Sequence, residues 1–210
     1  MIKKMLKVNG VERHLIVDQE ALLSDVLRKQ LHLTSVKVGC ATGTCGACNV
    51  ILNGKLVRSC TTKMKRVDNW STIVTTEGIG TPINLHPIQK ALIYHGAIQC
   101  GFCTPGFVVS IKSLLDSNPN PSREEVRDWF HQYRNACRCT GYISIVDAVM
   151  DAAKVLRGEM SESALEYKAP ADGRVYGTRF PRPTSVAKVC GLWDFGNDMS
   201  TQLPEDTLHG

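Results

Sequence analysis

Apolar positions follow two different periods along this chain. Up to about residue 80 they come in short alternating runs. Residues 5–8 and 11–17 flank Asn9-Gly10, and residues 49–52 and 55–59 flank Asn53-Gly54. Asn-Gly readily supplies the positive φ of a type I′ turn, so each pair predicts a hairpin. Residues 71–76 are rich enough in β-branched side chains to predict a closing strand. Between the hairpins, Leu22, Leu23, Val26, Leu27 and Leu31 recur at the three-and-four spacing of one helical face, with Asp18 as the expected cap.

After Gly78 and Gly80, with Pro82 and Pro87 marking a linker, the helical period takes over until Gly158. Four helices are predicted, over 87–95, 105–115, 123–133 and 144–157, the third opening on a Ser122/Glu125 capping box. The class expected is therefore α+β: a small strand-rich domain over residues 1–80, a helical domain over 81–158, and an arm over 159–210. The arm carries Pro170, Pro181, Pro183 and Pro204 with little periodicity, so it is expected to be extended, to lack a core and to lie on these domains or on another subunit. With 43% hydrophobic residues in 210, each domain holds only a small core, of the size that gains from a metal or disulfide staple.

The cysteines supply such a staple. Eight of the nine fall into two quartets. Cys40, Cys45, Cys48 and Cys60 follow the C-x4-C-x2-C…C spacing of a plant-type [2Fe–2S] centre. The glycines, alanines and threonines of residues 39–48 let backbone N–H groups close on an anionic cluster, which a zinc site would not need. Cys100, Cys103, Cys137 and Cys139 form a C-x2-C and a C-x-C, one in each of two inter-helix loops. The C-x-C half is awkward for a zinc knuckle and suits a rhombic cluster, but spacing alone leaves zinc open here. Cys190 is left over in the arm and reads as an incidental buried thiol. A disulfide framework would call for a signal peptide, and charges at Lys3, Lys4, Lys7, Glu12 and Arg13 interrupt any apolar h-region, so a cytoplasmic protein is expected.

The formal charge of +5 does not point to nucleic acid, because the lysines and arginines never form a dense run with interleaved aromatics. Each oxidised cluster with its thiolates adds about −2, leaving roughly +1. No apolar run is long enough to span a membrane. His14, His32, His86, His95, His131 and His209 share no spacing with a nucleophile, and capping or ion pairing is expected for most of them. There is no P-loop, G-x-G-x-x-G or G-x-S-x-G, so no catalytic residue is expected in this chain.

GCATGTCGACNV (residues 39–50), QCGFCTPG (99–106) and NACRCTGY (135–142), in that order, resemble the iron–sulfur part of the xanthine oxidase family of molybdenum hydroxylases. RFPRPTSVAKVCG (179–191) resembles that family's connecting segment, and the likeness extends to its flavin-free aldehyde oxidoreductases of anaerobic bacteria. The resemblance implies an N-terminal β-grasp, ferredoxin-like domain and a four-helix-bundle domain, each with a [2Fe–2S] cluster, passing electrons outward from a molybdopterin cofactor. The Cys100/Cys103/Cys137/Cys139 cluster would lie nearer molybdenum, with Gln99 and Cys139 approaching the pterin; the Cys40/Cys45/Cys48/Cys60 cluster would face the next acceptor. It further implies a large molybdenum-binding subunit, which the arm, with a terminal strand over residues 203–210, would engage by strand pairing or groove docking. The acceptor would be a flavin subunit, a ferredoxin or a flavodoxin. No flavin portion is interposed between residues 158 and 179, which favours the flavin-free type. Substrates implied are aldehydes or, alternatively, purines, N-heterocycles or aromatic thioesters. Two other classes stay open: a free-standing two-cluster carrier, for which a fifty-residue arm has no use, and a zinc-stapled interaction module.

Overall fold

The computed structural model describes residues 1–199, 203, 204 and 207. Its first domain is one mixed sheet of β1 (Ile2–Val8), β2 (Val11–Val17), β3 (Asn49–Leu52), β4 (Lys55–Arg58) and β5 (Thr72–Val74), in the order β2-β1-β5-β3-β4. β1 lies parallel to β5, and the other pairings are antiparallel. Both Asn-Gly pairs take positive φ, 50° and 83° at Asn9-Gly10 and 50° and 78° at Asn53-Gly54, as both hairpins require. β5 is shorter than its sequence run because the Asn9 side chain accepts from Thr75 N–H at 2.9 Å and takes over from the ladder. Leu6, Val8, Val17, Val50 and Ile73 turn to one face and meet Leu23, Leu27 and Met64. Cys48 and Cys60 belong to the same core, so half of the first quartet is anchored in it.

The expected helix here is reduced to α1 (Leu23–Asp25) running into a wider π-type turn, Val26–Gln30. Asp18 does not cap it. Its carboxylate accepts from Glu20 N–H in a preceding turn, and the backbone instead crosses to the 60s loop, with Leu23 N–H on the Thr62 carbonyl and Met64 N–H on the Ala21 carbonyl. Tertiary pairing outweighs the local cap.

In the second domain α2 (Pro87–Tyr94), α3 (Thr104–Ser117), α4 (Arg123–Gln132) and α5 (Tyr142–Leu156) match the four predicted helices. His86 caps α2 by accepting from Ile88 N–H, Ser122 and Glu125 form their capping box at α4, and His95 pairs with Asp151 at 2.9 Å. Ile88, Leu92, Phe107, Ile111, Val126, Ile145 and Val149 fill the core.

Among the described residues the arm is extended only in part. Residues 166–180 do run largely exposed. Beyond them α6 (Ser185–Val189) buries Val189 and Cys190 in the helical core, and α7 (Gly196–Met199) buries Asp198 against the first domain. Val186, Val189 and Cys190 carry a helical spacing that the surrounding prolines mask in the sequence. The arm thus finds its surface on this chain's own domains, and its length no longer argues against a free-standing carrier. The expected pairing of residues 203–210 falls mostly outside the described residues. Among those described, no helix is long and apolar enough to cross a membrane.

Candidate metal centres

All nine cysteines are free thiols. In the first quartet Ala41, Gly43 and Gly46 take φ of 54°, 75° and 66°, which folds the loop so that its N–H groups turn inward. Thr42 and Thr44 N–H both donate to Cys40 Sγ, at 3.4 and 3.3 Å. Burial pushes the Cys40 thiol up, but these hydrogen bonds and those of the two threonine side chains outweigh it and hold it down at about 5. Cys48 is pushed up to about 12, first by burial and then by its neighbour Cys60. The Ser59 hydroxyl donates to the Cys48 carbonyl at 2.7 Å and ties the two core-anchored cysteines together.

In the second quartet Gly101 takes φ of 90° and Thr140 of 57° at the two loop bends. The Tyr142 hydroxyl accepts from Cys137 N–H at 2.8 Å, and Gln99 Nε2 donates to the Cys139 carbonyl at 3.1 Å. Burial and then Cys137 push the Cys103 thiol far up, while the Cys100 N–H and thiol, with Arg182 contributing its charge, draw Cys139 down. Gln99 and Cys100 are exposed, Cys139 is half-buried and Cys137 is buried, so one edge of this quartet reaches the surface.

After burial, the thiols of each quartet push one another up: Cys40 acts on Cys45, Cys60 and Cys45 on Cys48, Cys139 and Cys137 on Cys100, and Cys137 and Cys100 on Cys103. Among the described residues no three His, Cys, Asp or Glu side chains converge closely enough to hold one metal ion. Four thiol donors in each quartet are what a two-iron rhomb takes, two sulfurs to each iron. Together with the N–H groups aimed at Cys40, this donor set fits a [2Fe–2S] cluster better than a tetrahedral zinc ion.

The two quartets touch, which spacing alone could not show. Ala136 N–H donates to the Cys45 carbonyl at 3.0 Å, joining the residue before Cys137 to a member of the other quartet. The Phe102 ring packs on Gly39, 3.2 Å from where a Cβ would stand. A Cβ on Gly46 would lie 2.8 Å from the Arg134 carbonyl oxygen, and one on Gly106 would lie 2.6 Å from the Gly46 oxygen. Gly106, Ala136 and Phe102 are residues whose contacts sequence reasoning missed; for Gly106 and Ala136 a small side chain near the cysteines was the only signal. Gly46→Ala is expected to lower stability by about 1–3 kcal/mol, because it combines a strained φ with a backbone clash at the domain boundary. Urea unfolding of the loaded protein measures this, and an unchanged midpoint would contradict it.

Residues 6–71 match the 2Fe-2S iron-sulfur cluster binding domain, and residues 75–150 match the [2Fe-2S] binding domain. The nicotine 6-hydroxylase small subunit of Paenarthrobacter nicotinovorans is 46% identical over 147 residues, covering 70% of this chain and 87% of that subunit. The aldehyde oxidoreductase of Megalodesulfovibrio gigas is 63% identical over 209 residues, covering 100% of this chain and 23% of that protein. The chain belongs to the xanthine oxidase family of molybdenum hydroxylases, as its iron–sulfur part. The solved aldehyde oxidoreductase from Desulfovibrio desulfuricans ATCC 27774 superposes with a TM-score of 0.97 at 60% identity, over 100% of this chain and 23% of that one. The chain thus spans about a quarter of the aldehyde oxidoreductases and corresponds to most of the small subunit. Within this family the chain is the small part with two [2Fe–2S]-binding domains.

Proposed function

We propose that this chain is the electron-transfer part of a molybdopterin-dependent aldehyde oxidoreductase, in which an aldehyde and water yield a carboxylic acid, two protons and two electrons. Cys40, Cys45, Cys48 and Cys60 hold the first [2Fe–2S] cluster; Cys100, Cys103, Cys137 and Cys139 hold the second. The observation that carries this reading is the Ala136–Cys45 hydrogen bond, because it makes two thiol quartets one relay rather than two separate staples. When bound, the clusters supply one-electron states and the molybdenum centre supplies the two-electron oxidation.

This chain's residues bind, orient and shield. Thr42 and Thr44 N–H stabilise negative charge at Cys40, and the cores behind Cys48, Cys60 and Cys137 keep water from the inner sulfurs. Gln99, held on the Cys139 carbonyl at the exposed edge of the second quartet, would meet the pterin together with Cys139. The exposed loop of residues 39–44 serves the acceptor, a flavin subunit, ferredoxin or flavodoxin. A large molybdenum-binding partner supplies the catalytic groups, so the chain alone does not oxidise substrate. Aldehyde is favoured over N-heterocycles by the higher identity to the aldehyde oxidoreductase than to the nicotine hydroxylase subunit. Thiols kept free for metal binding are typical of a reducing compartment, which favours a cytoplasmic location.

The test is a count of iron, sulfide, zinc and molybdenum per copy of this chain in the complex purified anaerobically from its host, followed by addition of aldehyde. About four irons, one molybdenum, a large partner and clusters reduced by aldehyde are expected. The same iron without molybdenum or partner would make it a free carrier, and zinc without sulfide an interaction module.

A further inference from the structure

The arm reaches the second quartet itself. α6 enters the helical core through Ser185, Val189 and Cys190, and the fully buried Gln89 fixes its end by donating to the Val189 carbonyl at 3.1 Å. From this anchor two cations extend over the loop that opens the quartet. The Arg182 guanidinium donates to the Ile98 carbonyl, and Lys188 Nζ donates to the Gln99 carbonyl at 3.2 Å. The methylene stem of Lys188 lies on Gly101 so closely that a Cβ there would stand 2.5 Å from Lys188 Cδ, and φ at Gly101 is 90°. Only glycine fits under that stem. Neither cation forms an ion pair within the described residues, and Lys188 Nζ rests over the Trp193 ring, 5.3 Å from its centroid.

Two cations without an ion-pair partner among the described residues therefore hold the residues 98–101 backbone, which carries Cys100. A bound cluster is an anion that gains one more negative charge on reduction, so a cation held nearby favours the reduced form. We propose that Arg182 and Lys188 of the arm are positioning residues of the second cluster, holding its opening loop in place and raising its reduction potential. This rests on the reading that Cys100, Cys103, Cys137 and Cys139 hold a [2Fe–2S] cluster. The arm then does more than connect: it favours arrival of the electron at the cluster nearer the molybdenum portion.

EPR-monitored redox titration of the purified complex tests this, with Arg182→Gln, Lys188→Gln and the conservative Lys188→Arg. The second cluster is identified as the signal lost in Cys103→Ser. Each glutamine variant is expected to lower its midpoint by about 59 mV, a tenfold change in a one-electron equilibrium. The first cluster is expected not to move, and Lys188→Arg to keep the wild-type value. A merely structural clamp would alter iron content and leave the potential in place. Full iron with unshifted midpoints in both glutamine variants would overturn the proposal. If Lys188→Gln loses its cluster, Arg182→Gln, whose side chain is exposed, decides the charge effect by the same criterion. A wild-type complex without two reduced [2Fe–2S] signals would overturn the ligand assignment and the arm's role with it.

Discussion

Cys103→Ser is expected to halve the iron bound per chain, remove one of the two reduced-state EPR signals and abolish electron delivery to the acceptor. Cys103 packs on the helical core, and without metal burial and then Cys137 push its thiol up. Binding must supply the free energy to deprotonate it. A serine hydroxyl is far less acidic and a harder donor, so the half of the rhomb anchored in the core is lost. The first quartet draws Cys48 and Cys60 from a separate core and is expected to keep its cluster. The helical domain should also unfold at lower urea, since a core of this size leans on its metal. Iron and sulfide analysis with EPR of the reduced protein checks this. Full iron with both signals intact would remove Cys103 from the ligand set.

Asp198→Asn should detach the end of the arm from the first domain. The Asp198 carboxylate lies between Arg28, at 2.7 Å, and Lys37, and all three side chains are at least 95% buried. Removing one partner of a buried ion pair leaves charge uncompensated and costs about 3–5 kcal/mol. Lys37 also donates to the Trp193 carbonyl and faces the Phe195 ring at 5.0 Å, so this end of the arm is tied to the segment leading into Cys40. Limited proteolysis after about residue 190 and urea unfolding measure the effect; a variant as resistant and as stable as wild type would show that the arm is held by its apolar contacts alone.

The same group sets an acid limit. Burial pushes the Asp198 carboxyl up, but hydrogen bonds from Lys37, the Phe195 N–H and Arg28 outweigh it, so its folded pKa lies below the ordinary carboxylate value. Its stabilisation is therefore fully present above the unfolded pKa of about 3.9 and is lost as pH falls through the lower folded value. Lys37 is held below the ordinary lysine value, chiefly by burial. It remains charged throughout the acid range and does not change that sign. Release of the arm on acidification should precede global unfolding and should be absent in Asp198→Asn.

Several elements could be read directly from residues because their causes are local. Asn9-Gly10 and Asn53-Gly54 allow positive φ, Ser122 and Glu125 satisfy each other's backbone donors, and four amphipathic stretches bury one face each; these gave both hairpins and all four long helices. The cysteine intervals pointed to two quartets for a chemical reason, since ligands of one cluster must come from short loops. The helix expected after Asp18 failed because backbone pairing between residues 20–25 and the 60s loop, forty residues away, competed with the local cap. α6 went unseen because prolines obscured a five-residue helix whose stability comes from burial rather than from propensity.

By itself, then, the sequence determined the α+β class with its two iron–sulfur domains and the turn positions, and it pointed to eight candidate thiols. Only the tertiary structure decided that Ala136 bridges the quartets, and that the arm folds back to set Lys188 on Gly101 and Asp198 between Arg28 and Lys37. Turns, caps and ligand spacing depend on neighbours within a few residues. These other contacts join residues tens to well over a hundred positions apart, and they form only when two cores pack and exclude water between them.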